Sequence, residues 1–183
     1  MMYLQTTLIV VPPALVSQWI SEIHKCCGDY LVVQYYDPKS QVFEDKSKAR
    51  GTPDIVVTTY RSLESHAASK NLADKVWGRI VLDEMQEIRS STSLIAKNCE
   101  KLISERRWML SGTPFFEGID DLRGELNFLS VVPFCAKLED GFFDFAILDH
   151  WKQRSKYGLE TLKIIGLLAL RRSSSMTICE TGA

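Results

Sequence analysis

Two carboxylates stand side by side, Asp83 and Glu84, directly after the apolar run Ile80-Val81-Leu82. So short and unbroken a run reads as a strand buried on both faces. Open α/β sheets hold their ligands at the C-terminal ends of such strands. There, one acid can hold a hard cation such as Mg²⁺ while its neighbour orients or deprotonates a water. Isolated Asp-Glu pairs more often sit in solvated turns, so the surroundings must decide. Further along comes Ser111-Gly112-Thr113-Pro114, again at the end of a strand candidate, Arg106 to Leu110. Its small residues let the backbone approach a neighbouring loop closely, although turn chemistry before a proline explains them as simply.

The elements that must position these residues are legible as a pattern. "TTLIVVPP" (6–13), "LVVQYY" (31–36), "DIVVTTY" (54–60), "RIVL" (79–82) and "RRWMLSG" (106–112) read as strands. "ALVSQWISEIHKC" places Leu15, Val16, Trp19, Ile20 and Ile23 at helical spacing, so it reads as an amphipathic helix with Trp19 in its apolar stripe. "STSLIAKNCEKLI" begins with Ser/Thr N-cap candidates. Residues 120–172 read as mostly helical, and "EDKSKAR" (44–50) as a solvated loop. Strands alternating with helices point to a parallel α/β sheet. The expected organisation is one domain over 1–183, with the sheet in 1–115 and a helical part in 116–183.

Bulk properties narrow the classes. A chain of 183 residues with 45% apolar and 25% charged content suits a globular domain. A net charge of -1 excludes a strongly basic nucleic-acid-coating protein, though not a local basic stripe. Five cysteines at irregular spacing, with no CxxC pair, argue for free thiols in a reducing compartment rather than a disulfide or zinc framework. His24, His66 and His150 show no ligand spacing. No apolar run reaches the roughly 20 residues of a membrane span, and no basic segment precedes the N-terminal apolar run. The expectation is an intracellular protein with no membrane partner. A hydrolase using the two acids as general acid and base would want a nucleophile motif such as G-x-S-x-G, and none occurs.

Taken in order, the short motifs resemble one family. "TLIVVPPALVSQWISEI", "DIVVTTYRSL", "VLDEMQEIRSSTS", "RWMLSGTPFFEGIDDLRGELNFL" and "LLALRRSSSMTI" are similar to motifs Ia, Ib, II and III, and to the stretch after them, in the SWI/SNF-like DNA translocases of helicase superfamily two. The resemblance spans nearly all of Thr6 to Ile178. It implies a RecA-like lobe of the P-loop NTPase type. Asp83 would then coordinate the Mg²⁺ of MgATP, Glu84 would position the attacking water, and Gln86, where many members have His, would hydrogen-bond to motif III. Ser111, Gly112 and Thr113 would couple nucleotide state to movement. Pro12, Ser17, Gln18, Thr58, Thr59 and Arg61 would face the backbone of double-stranded DNA, although threonine also favours strands for its own reasons. Arg171 and Arg172 would complement a helix dipole, or serve DNA or a second lobe.

Gln86, "RRWMLSGTP", "GIDDLRGELNFL" and "PFC" at 133–135 resemble in particular the SNF-histone-linker-PHD-RING helicase (SHPRH) branch. That likeness would imply a nuclear protein of chromatin remodelling or DNA repair, with nucleosomes and the ubiquitin machinery as partners, and ubiquitin-ligase chemistry on RING and PHD modules. The cysteine spacing of those modules is not found in this chain. Nor is G-x-x-x-x-G-K-[ST], the loop that cradles the β and γ phosphates. In the family that loop precedes motif Ia, so the expectation is a partial lobe, truncated before its first strand and P-loop and inactive alone. Two readings stay open: part of an ATP-driven DNA translocase, or a non-catalytic fragment that binds DNA or protein.

Overall fold

The alternation of apolar runs with amphipathic segments resolves into a parallel six-stranded sheet. The computed structural model of the chain describes residues 2–38, 52–88, 90, 92–112, 118–135 and 141–167. The strands are β1 (Met2–Val11), β2 (Val33–Tyr35), β3 (Ile55–Thr59), β4 (Lys75–Asp83), β5 (Ile103–Ser104) and β6 (Arg107–Leu110). Their order is β2-β3-β1-β4, with β5 and β6 both paired to β4. β5 lies beside Val76 and Trp77, and β6 beside Ile80 to Asp83, so the two form one interrupted edge along the same neighbour.

The first compact unit is Met1–Asp140. Alternation along its strands separates two apolar faces. On one, Ile9, Val11 and Val57 pack against Leu15 and against Val16, Trp19, Ile20 and Ile23 of α1 (Val16–Cys27). On the other, Leu8, Val10, Val56, Trp77, Ile80 and Leu82 form the larger core. Helices α2 (Tyr60–Glu64), α3 (His66–Ala73), α4 (Leu94–Lys101) and α5 (Asp121–Leu129) contribute Leu63, Leu72, Cys99 and Phe128 to it. Ser93 caps α4, accepting a hydrogen bond from the Ala96 N–H at 3.1 Å. The unit therefore runs past residue 115 to include α5, which packs on α4 and β6.

The second unit, Gly141–Ala183, is helical where it is described. A π-helical turn, Asp144–Leu148, leads into α6 (Asp149–Lys152), and α7 (Lys156–Gly166) follows. Ser155 caps α7 and also hydrogen-bonds His150 Nδ1 at 2.9 Å, so this histidine is a satisfied structural residue. A Cβ at Gly158 would lie 2.9 Å from that of His150, which is why glycine stands at the helix crossing. Among the described cysteines, Cys26, Cys27, Cys99 and Cys135 are all free thiols. No described helix is long and apolar enough to cross a membrane.

Candidate functional site

Parallel register fixes where the strand ends fall. Val10 is level with Thr58 and with Leu82, and Val11 with Thr59. Across the other side of β4, Asp83 is level with Leu110. The chain therefore leaves β1, β3, β4 and β6 along one edge of the sheet, and the Asp83-Glu84 pair lies beside the segment that opens at Ser111-Gly112. Gln86 belongs to a short 3-10 helix, Met85–Ile88; its side chain, like all of Thr113, lies outside the described residues. The same holds for "EDKSKAR", Arg171 and Arg172.

Asp83 is tightly held. Its Oδ1 accepts the Glu84 N–H at 2.9 Å, and its Oδ2 accepts the Trp19 Nε1–H at 2.7 Å. Its carbonyl oxygen accepts the Tyr60 hydroxyl at 2.8 Å. Burial, aided by Cys99, Asp83, Glu87 and Glu84 in that order, pushes the Tyr60 phenol far above its usual range, so it remains a donor. Glu84 follows with φ of 53°, a left-handed backbone that costs a non-glycine residue about 1–2 kcal/mol. Backbone strain of this kind persists where its surroundings over-determine it, commonly at functional sites.

The residues expected to face DNA divide. Ser17, Gln18 and Arg61 are exposed, and Pro12 is half-buried. The Thr58 and Thr59 side chains, by contrast, turn inward. Thr58 is fully buried and donates its hydroxyl to the Tyr36 carbonyl at 3.0 Å. Thr59 caps α2, accepting the Ser62 N–H at 3.2 Å, and bonds the Ser62 hydroxyl at 3.0 Å. Both hydroxyls are committed to the fold. Pro12 and Arg61 meet at a cleft of about 270 Å³ with Tyr60, Glu64, Glu87 and Ile95.

Two residues of the site were not read from their chemistry. Trp19 was expected to be core, and its ring does join the α1 stripe, but its N–H reaches the Asp83 carboxylate. Tyr60 received no role. For Tyr60 the available signal was its place directly after the Thr-Thr strand end. For Trp19 it was the position directly after the polar pair Ser17 and Gln18.

A profile of the SNF2-related domain matches residues 1–177. The chain belongs to the SNF2-related family. Among its relatives, the DNA repair protein RAD5A of Arabidopsis thaliana is 32% identical over 179 residues, which cover 93% of this chain and 17% of the relative. The DNA repair protein RAD5 of Eremothecium gossypii is 30% identical over 194 residues, again 93% of this chain and 17% of the relative. The chain thus spans about a sixth of the length of these SNF2-related proteins. The Sulfolobus solfataricus SWI2/SNF2 ATPase core in complex with double-stranded DNA superposes with a TM-score of 0.74 at 27% identity. That match covers 94% of this chain and 35% of the other. The SNF2-related fold is therefore the parallel, helix-flanked sheet of an ATPase core, as the motif order implied.

Whether the site suits the cation of a nucleotide can be judged from its donors. Among the described residues no group of three or more His, Cys, Asp or Glu converges on one point. That excludes a resident all-protein metal cage from the described part. It fits Mg²⁺, which binds through one or two carboxylates and completes its shell with substrate phosphates and water. Each Asp83 oxygen has accepted one hydrogen bond and keeps a lone pair for such an ion.

Proposed function

We propose that this chain is part of the first motor lobe of an ATP-dependent DNA translocase, in which Asp83 and Glu84 serve ATP hydrolysis. The observation that carries the reading is the level register of Asp83 with Leu110, which sets the two acids beside the Ser111-Gly112 segment at one sheet edge. Asp83 would hold the nucleotide's Mg²⁺, which when bound neutralises charge on the phosphates. Glu84, turned out of the strand by its left-handed backbone, would orient the attacking water and accept its proton. Gln86 and Thr113 would complete the link between motifs II and III. Ser17, Gln18 and Arg61, with Pro12 shaping the surface, would meet phosphates of duplex DNA without reading bases. The relatives named for DNA repair and the neighbour solved with double-stranded DNA support this partner. A nuclear setting, chromatin as substrate, and ubiquitin-ligase chemistry on separate modules extend the same reading.

The phosphate-cradling loop is not among these 183 residues. Mutating Glu84→Gln should therefore abolish DNA-stimulated ATP hydrolysis in the intact protein that carries these residues. In the 183-residue chain alone the same change should leave a negligible rate unaltered. Unchanged hydrolysis by intact Glu84→Gln protein would end the motor reading. It would favour instead a non-catalytic binding segment, for which the exposed Ser17, Gln18 and Arg61 speak.

A further inference from the structure

Trp19 combines two attachments, one apolar and one to a carboxylate. Its ring is wedged in the α1 stripe against Ile9, Val11 and Val57. Its Nε1–H then spans to Asp83 Oδ2 at 2.7 Å, the short end of the range for hydrogen bonds to an ionised acceptor. An indole has a single donor and no acceptor, so the bond points one way only. With Oδ1 occupied by the Glu84 N–H and the carbonyl by Tyr60, the carboxylate is fixed in rotation as well as position. Exposed Ser17 and Gln18 immediately precede Trp19 on the first turn of α1.

We propose that Trp19 is a positioning residue for the cation site: its indole N–H locks the Asp83 carboxylate so that the remaining lone pairs face the nucleotide's metal. The same bond ties the helix bearing Ser17 and Gln18 directly to that carboxylate. A shift of α1 on contact with a phosphate backbone is then felt at the metal ligand through one side chain. The proposal rests on reading Asp83 as the cation ligand.

The test uses this chain labelled with ¹⁵N and titrated with Mn²⁺ alone, a paramagnetic probe that broadens nearby N–H signals. The Trp19 indole signal, assigned by its loss in Trp19→Phe, should vanish before that of Trp77, which donates to the Leu72 carbonyl inside the core. Mutating Asp83→Asn should erase that difference. In Trp19→Phe, the Mn²⁺ needed to broaden the Glu84 amide should rise about tenfold, as for lost partners of metal ligands elsewhere. A merely packing role would lower the melting temperature and leave that concentration unchanged. If the Phe variant does not fold, benzothienylalanine at position 19 keeps the bicycle and replaces only the N–H. Glu84 broadening at the same Mn²⁺ concentration with and without the indole N–H would overturn the role of Trp19 and leave Asp83 standing. Absence of any Asp83-dependent broadening would remove both.

Discussion

Glu84 occupies backbone space that suits glycine better than glutamate. Its φ of 53° is enforced by neighbours: its N–H is held by Asp83 Oδ1, and its carbonyl accepts the Glu87 N–H at 3.2 Å. Relieving a left-handed residue returns about 1–2 kcal/mol, of which glycine's extra freedom in the unfolded chain removes about 0.4–1. Glu84→Gly should therefore melt above Glu84→Ala, by about 2–4 °C for a domain of this size. Equal melting points by calorimetry would show that the strain is not stored there. Glu125 is a second residue out of its ordinary state: burial, then the neighbouring Asp121, pushes its carboxyl up to about 8. A raised acid keeps its proton in the fold while the unfolded chain has lost it. Stability then falls as pH climbs from the ordinary glutamate range towards 8, and levels off above. Mutating Glu125→Gln, which mimics the protonated acid, should gain melting temperature over the native chain at pH 8.5 and show little gain at pH 4. An equal gain at both values would refute the assignment. At this scale the sequence exposes residue types but not partners. Asp83 and Glu84 stood out because an apolar run stops at them. The Tyr36 carbonyl and the start of α2, which hold the Thr58 and Thr59 hydroxyls, are visible only in the fold. Trp19 was assigned by periodicity, which places a ring and is silent about where its N–H points.

Among elements, β4 carries most of the construction, pairing with β1, β5 and β6. Its register with β1 slips between Leu4 and Thr7, and Gly78 sits opposite the slip. A Cβ there would lie 3.0 Å from the Gln5 carbonyl oxygen, a backbone atom that cannot swing aside. Gly78→Ala should destabilise the chain by about 1–3 kcal/mol, the usual cost of overpacking. A urea midpoint at or above that of the native chain would show that β1 yields freely. Arg107 ties the edge to the helices. It donates to the Phe128 carbonyl at 2.7 Å and to the Leu102 carbonyl, with its guanidinium 5.0 Å from the centre of the Phe128 ring. One planar fork thus holds the ends of α4 and α5, a task lysine's single ammonium cannot copy. Arg107→Lys should therefore cost about 1.5–3 kcal/mol, the worth of one hydrogen bond to a charged group, and a loss under 0.5 kcal/mol would sink this reading. β1, β3 and β4 were legible as unbroken apolar runs, and α1 by its helical spacing. α2, α3 and β5 were not assigned: five, eight and two residues long, they are too short to show a period, and core packing decides them.

At the scale of the whole chain, charge decides what kind of DNA contact is physically open. Acidic residues number 23 and basic 22, so no bulk attraction draws the protein to a polyanion. Of the exposed residues proposed to meet the duplex, Ser17, Gln18 and Arg61, only Arg61 carries charge. Uncharged donors contribute hydrogen bonds but release no counterions. Duplex affinity falls with salt as roughly 0.9 log units per log unit of salt for each phosphate neutralised. The isolated chain should therefore bind labelled duplex weakly, with a log–log slope near about -1, and Arg61→Ala should bring that slope close to zero. Fluorescence anisotropy between roughly 20 and 150 mM salt gives the slope directly. A slope steeper than about -4 would require several cations on the duplex. The contact surface would then lie elsewhere than at the ends of β1 and β3, and the arrangement that makes Trp19 a link between DNA and the Asp83 carboxylate would lose its outer half.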